Sequence, residues 1–166
     1  MAEQRQKNQR ARLFVALELP DEIRKGLARW QREQLDPIPV LRQVEPEQLH
    51  VTLAFLSHQP LRQIDRIAAI LGEIDHPAPE LRFEAEPAAR PPGRPRLFAI
   101  EAKSPGAISL QEQVSGALEA ARVYEPEDRD FWPHVTVART RRERRGSKKP
   151  AKVDVRPGRL PDALLR

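Results

Sequence analysis

Apolar residues recur along this chain with two periods, and the switches between them predict its elements. Residues 12–19, RLFVALEL, are nearly all apolar and predict a buried strand. After Pro20-Asp21 the spacing becomes helical, with Ile23, Leu27 and Trp30 on one stripe. Asp36-Pro37-Ile38-Pro39 breaks that helix, 40–44 predicts a short strand, and Glu45-Pro46-Glu47 turns the chain into a strand over 49–56. A second helix is expected over 61–74, with Ile64, Ala68 and Leu71 along one face. Residues 81–86 alternate apolar and charged, and 96–102 give another strand beyond the loop Pro91-Pro92-Gly93-Arg94-Pro95; these two are expected to pair. A third helix follows Pro105, with Ile108, Gln111, Val114, Leu118 and Ala121 on one stripe, and a last strand covers 131–139. The order β-α-β-β-α, then β-β-α-β, is an approximate doubling of one α+β unit.

A short stretch repeats inside that doubling, as Leu49-His50-Val51-Thr52-Leu53-Ala54 and Pro133-His134-Val135-Thr136-Val137-Ala138. Side chains alternate across a strand, so His50 and Thr52 share one face while Val51 and Leu53 share the other. His134 and Thr136 repeat the arrangement. Either copy alone reads as a strand with an ordinary structural histidine. The repetition favours two fronts facing one another across a cleft with two imidazoles and two hydroxyls, an acid/base site.

Charge and composition narrow the chemistry. The 166 residues fit one domain, or two small lobes sharing a core. The longest apolar runs are strand-sized and MAEQRQKNQR has no signal-peptide character, so the expectation is a soluble, cytoplasmic chain with no membrane partner. Without cysteine there is no disulfide, no thiolate metal site and no thiol nucleophile. The net charge of +5 is segregated: 139–152 carry +7, 1–12 carry +3 and 153–166 carry +1, leaving −6 for 13–138. Positive charge at the termini could hold a polyanion, or keep a tail solvated. RTRRERRGSKKPAK is too polar to pack by hydropathy, and beyond it only 152–155 offers a strand.

Among two-histidine chemistries, a metal site would recruit a carboxylate, yet neither histidine has Asp or Glu within two residues. A threonine nucleophile would lie about 7 Å from its own histidine along the strand, too far for activation. Concerted acid/base catalysis remains, one neutral imidazole taking a proton from water and one imidazolium protonating a leaving oxygen. Threonine hydroxyls suit phosphoryl oxygens. By parity Arg139 points away from Thr136 and reaches such a site only if the strand bends or ends there.

RLFVALELP, LHVTLAFL, the Pro-Arg-Leu-Phe strand and FWPHVTVAR together resemble the bacterial RNA 2′,3′-cyclic phosphodiesterases, also called 2′-5′ RNA ligases or LigT-like proteins, among the two-histidine (2H) phosphoesterases with paired His-x-Thr-x motifs. The resemblance implies an α+β fold of two pseudo-symmetric lobes, with antiparallel sheets around a central cleft and helices outside, over residues 12–140. It implies hydrolysis of RNA 2′,3′-cyclic phosphates to 2′-phosphates with no metal or other cofactor, alongside reversible 2′-5′ ligation. Transferred to this chain, His50 is the general acid, His134 the general base, and Thr52, Thr136 and Arg139 bind phosphate. Two features depart from the family pattern. Residues 141–166 form a basic segment where further strands are usual, and Ser57-His58 stands where a glycine often follows the first motif.

Further RNA contacts are expected from Arg42, from Arg94 in the Pro-rich loop flanked by Arg90 and Arg96, and from Trp132, which shares parity with His134 and is a candidate base stack. Alternation assigns Phe14 to the core, and His58 reads as a surface residue. The expected partners are RNA ends or nucleoside 2′,3′-cyclic phosphates, and the expected state is a monomer. Alternative readings are a catalytically idle RNA-binding relative and a phosphodiesterase for another small cyclic nucleotide.

Overall fold

The computed structural model, which describes residues 9–165, converts the two sequence periods into seven strands and three helices. In chain order these are β1 (Arg10–Glu18), α1 (Asp21–Leu35), β2 (Leu41–Gln43), β3 (His50–Pro60), α2 (Ile64–Gly72), β4 (Arg82–Phe83), β5 (Ala88–Arg90), β6 (Leu97–Lys103), α3 (Pro105–Ala120) and β7 (His134–Thr140). The basic residues Arg5 and Lys7 of the N-terminal charge cluster lie outside the described residues. The fold is α+β, its paired strands antiparallel. No helix among the described residues is long and apolar enough to cross a membrane.

The chain divides into two compact units. Among the described residues, one takes 9–17, Thr52–Glu80 and Ser104–Phe131. There β1 lies beside β3, and Leu53, Ala54 and Leu56 pack on Ile67 of α2 and on Val114 and Leu118 of α3. Leu13, Val15 and Leu17 add one face of β1 to this core. Phe14 therefore points the other way. It is 48% exposed, beside the equally exposed Phe55 at 6.3 Å between ring centroids, which corrects its assignment to the core. Ser104 begins α3 by accepting the Ala107 N–H at 3.0 Å, with Pro105 in the first turn, where a missing N–H costs nothing.

The other unit takes Glu18–Val51, Leu81–Lys103 and residues 132–165. Its central strand is β7. On one side β6 pairs with β7, and β4 and β5 both pair with β6; on the other side β3 and β2 both pair with β7. The strand expected over 81–86 is thus reduced to β4, paired with β6 as expected, and β5 was not legible because Ala88-Ala89 follows a proline without apolar alternation. Val51, Phe98, Ile100, Val135 and Val137 are buried on the back of this sheet, as are Leu27, Trp30 and Leu35 of α1.

Two features of this unit shape the site. Thr136 pairs with Ala99, but Ala138 pairs with Phe98, so β7 carries one extra residue, Val137, at a β-bulge. Buried Gln31 of α1 clamps that residue: its Nε2 donates to the carbonyls of Val137 and Val44, both at 2.9 Å. Beyond β7 the segment judged too charged to pack folds into a hairpin. Arg142 bridges Pro150, Glu143 N donates to Lys149 O at 2.9 Å, and Ala151 N donates to Arg141 O at 2.7 Å. Residues 152–155 form no strand. The chain then returns to α1, where Trp30 Nε1 donates to Arg159 O at 3.1 Å and Leu164 seats over Gly26, whose missing Cβ leaves the room.

Candidate active site

Antiparallel register places the motif residues in rows on the face of the sheet opposite the buried valines. Val51 is paired with Val135, so the residue before one lies opposite the residue after the other: His50 faces Thr136. Thr136 in turn pairs with Ala99, and Ala99 with Ala88, giving one row across four strands. His134 pairs with Glu101 in the next row. His50 and His134 are therefore diagonal neighbours, at a spacing of roughly 7–8 Å, wide enough to hold a phosphoryl group between them. Thr52 follows His50 on β3 with the same parity, is half-buried and belongs to the first unit.

The bulge decides the place of Arg139. Counting residues, Arg139 has the opposite parity to Thr136, but the extra Val137 resets the alternation, and Val137 and Ala138 are both buried. Arg139 pairs with Leu97, two positions from Ala99 on β6, so it shares the face of Thr136 and His134. The bend that the sequence required is this bulge. Arg139 also pairs with Arg42 on β2, and Leu97 with Arg90 on β5, so a row Arg42, Arg139, Leu97, Arg90 crosses the face. All three arginines are exposed.

His134 is held on two sides. Its Nδ1 lies 2.6 Å from the carbonyl oxygen of Trp132. A carbonyl only accepts, so Nδ1 carries the hydrogen and the neutral ring keeps its lone pair on Nε2. The Trp132 indole stacks on the imidazole, with centroids 4.1 Å apart and planes at 20°, and the Arg90 guanidinium carbon sits 4.6 Å from the indole centroid. At the end of β6, a hydrogen bond and the charge of Glu84 raise the pKa of Lys103, to which Glu101 adds.

The remaining sequence candidates lie elsewhere. Arg94 is engaged with the basic hairpin, its Nε donating to Pro150 O at 2.9 Å and its guanidinium 3.2 Å from Glu143. His58 is exposed, its carbonyl accepting from Arg10. Glu101 and Gln31 were missed. Glu101 was legible as the one charge inside the run LFAIEA, and Gln31 as a polar residue beside the apolar stripe of α1. Among the described residues no group of three or more His, Asp or Glu side chains is arranged to hold a metal ion.

A family model described as LigT like Phosphoesterase matches residues 17–95. The chain is 34% identical over 133 residues to the RNA 2′,3′-cyclic phosphodiesterase of Archaeoglobus fulgidus, spanning 80% of this chain and 74% of that one. It is 30% identical to the Thermus thermophilus protein of the same name, spanning 77% and 68%. Among solved structures it is similar to E. coli LigT complexed with 3′-AMP, with a TM-score of 0.65 at 28% identity, covering 86% of this chain and 80% of that one.

Proposed function

Because this chain belongs to the LigT-like phosphoesterase family, a family of phosphoric diester hydrolases, we propose that it opens RNA 2′,3′-cyclic phosphate ends to 2′-phosphates without a metal ion. The observation that carries this reading is the pair of registers setting His50 diagonal to His134, with Thr136 and Arg139 on the same face.

In this mechanism Nε2 of His134 takes a proton from water, whose oxygen attacks phosphorus as the bond to the 3′ oxygen breaks. His50, protonated, gives its proton to that oxygen. The products are a 3′-hydroxyl and a 2′-phosphate, and each histidine ends in the state the other began in. Thr52 and Thr136 donate hydroxyl hydrogen bonds to the non-bridging oxygens. The Arg139 guanidinium offsets the charge gathering there in the transition state. A 5′-hydroxyl in place of water would give a 2′-5′ linkage by the same transfers, so ligation and its reversal belong to the same site.

RNA beyond the reacting end is proposed to follow positive charge. Arg42 continues the row from Arg139, and β7 runs on into the hairpin with its exposed Arg142, Arg144, Arg145, Lys148 and Lys149. Arg94 contributes by holding that hairpin. The test is the product formed from a nucleoside 2′,3′-cyclic phosphate in excess EDTA, read by phosphorus NMR. A 2′-phosphate alone is expected; a 3′-phosphate, or turnover only after a divalent metal is added, contradicts the proposal.

A further inference from the structure

We infer that Trp132 and Arg90 are positioning residues that lock the His134 imidazole in its base-competent tautomer, an inference that rests on the role proposed above for His134. The Nδ1 hydrogen bond to the Trp132 carbonyl fixes the tautomer only while the ring plane stays where it is. That bond reaches back just two residues, and rotation about the Cβ–Cγ bond of His134 would break it. The indole stacked 4.1 Å away, nearly parallel, closes one face of the imidazole against such rotation.

The indole needs its own support. Its Nε1–H is buried and has no hydrogen-bond partner among the described residues, so no hydrogen bond there sets the ring in place. Arg90 supplies the support from β5, with its guanidinium carbon 4.6 Å from the ring centroid. The sheet leaves room for this reach, because the row between those of Arg90 and His134 carries only methyl groups on β5 and β6, those of Ala88 and Ala99. Trp132, a candidate base stack by sequence, thereby gains a partner within the chain: its ring backs the histidine.

The orphaned indole N–H makes the inference sharply testable. Trp132→Phe keeps a flat ring and removes the unpartnered donor, and should hold kcat within about threefold of wild type. Trp132→Ala should lower kcat on a mononucleotide cyclic phosphate by about 10–100-fold, the cost of a misplaced catalytic group, with KM nearly unchanged. Arg90→Ala should follow in the same direction, and Arg90→Lys should recover part of the loss. Nitrogen-15 NMR of the histidine rings supplies a readout independent of turnover. Neutral His134 should be protonated at Nδ1 in the wild type and in Trp132→Phe, and should admit the Nε2–H tautomer, preferred by unconstrained imidazole, in Trp132→Ala. A raised KM at constant kcat would make Trp132 a substrate contact instead and overturn the inference, as would an unchanged tautomer in Trp132→Ala. His134→Ala is measured alongside. Loss of rate there with wild-type kcat in Trp132→Ala overturns the positioning role alone; wild-type rate in both overturns the His134 assignment as well.

Discussion

Gln31 on α1 donates through Nε2 to the carbonyl of Val137, 2.9 Å away, at the one residue by which β7 exceeds its partner strand. A helix side chain thus braces the irregularity that turns Arg139 toward the histidines. Gln31→Leu keeps the volume and leaves the Val44 carbonyl without this donor and the Val137 carbonyl with only the Val44 N–H. It should lower unfolding stability in urea by about 1–3 kcal/mol. At temperatures where the variant remains folded, kcat/KM should also fall, because the bulge is no longer pinned. Full activity in a destabilised variant would show that the bulge holds without its clamp.

The row Arg42, Arg139 separates two duties. Arg139→Ala should lose about 10–100-fold in kcat/KM even on a mononucleotide cyclic phosphate, in keeping with about 1.5–3 kcal/mol for a hydrogen bond to a charged group. Arg42→Ala should leave the mononucleotide reaction within a few-fold of wild type and raise KM for an oligonucleotide. Steady-state kinetics on the two substrates decides; equal losses from both variants on both substrates would erase the distinction.

The hairpin after β7 should act through charge alone. Arg144→Glu combined with Arg145→Glu should weaken oligonucleotide binding and flatten its salt dependence, since each lost contact to single-stranded RNA removes about 0.7 from the slope of log K against log salt. Mononucleotide turnover should not change. An unaltered salt slope, measured by fluorescence anisotropy, would leave these residues as solvated charge.

Periodicity reached most of the elements and stopped where hydropathy carries no information. β1, α1, β3, α3 and β7 stand within a few residues of their sequence patterns, since each buries one face or stripe. Phe14 was misassigned because RLFVALEL is apolar at both parities, and composition does not say that Leu13, Val15 and Leu17 take the core. The hairpin was illegible for another reason. Backbone bonds and Arg94 hold it, with little apolar burial before Leu160 and Leu164 return to the core. Residue counting gives Arg139 the wrong parity, because the bulge at Val137 resets the alternation of β7. The only trace of that bulge in the sequence is the consecutive apolar pair Val137-Ala138. The shared face of His50, His134 and Thr136 was legible because the chain states its His-x-Thr pattern twice.

The central claim, one histidine as acid and the other as base, is tested most directly by changing the need for the acid. On the natural cyclic phosphate, His50→Ala and His134→Ala should each lose on the order of 10²–10⁴-fold in rate. On an analogue whose 3′ leaving group departs without a proton, His50→Ala should recover most of its rate, while His134→Ala should stay slow for want of a base. Recovery in the His134 variant instead would reverse the roles, and wild-type rates in either variant on the natural substrate would contradict the two-histidine account.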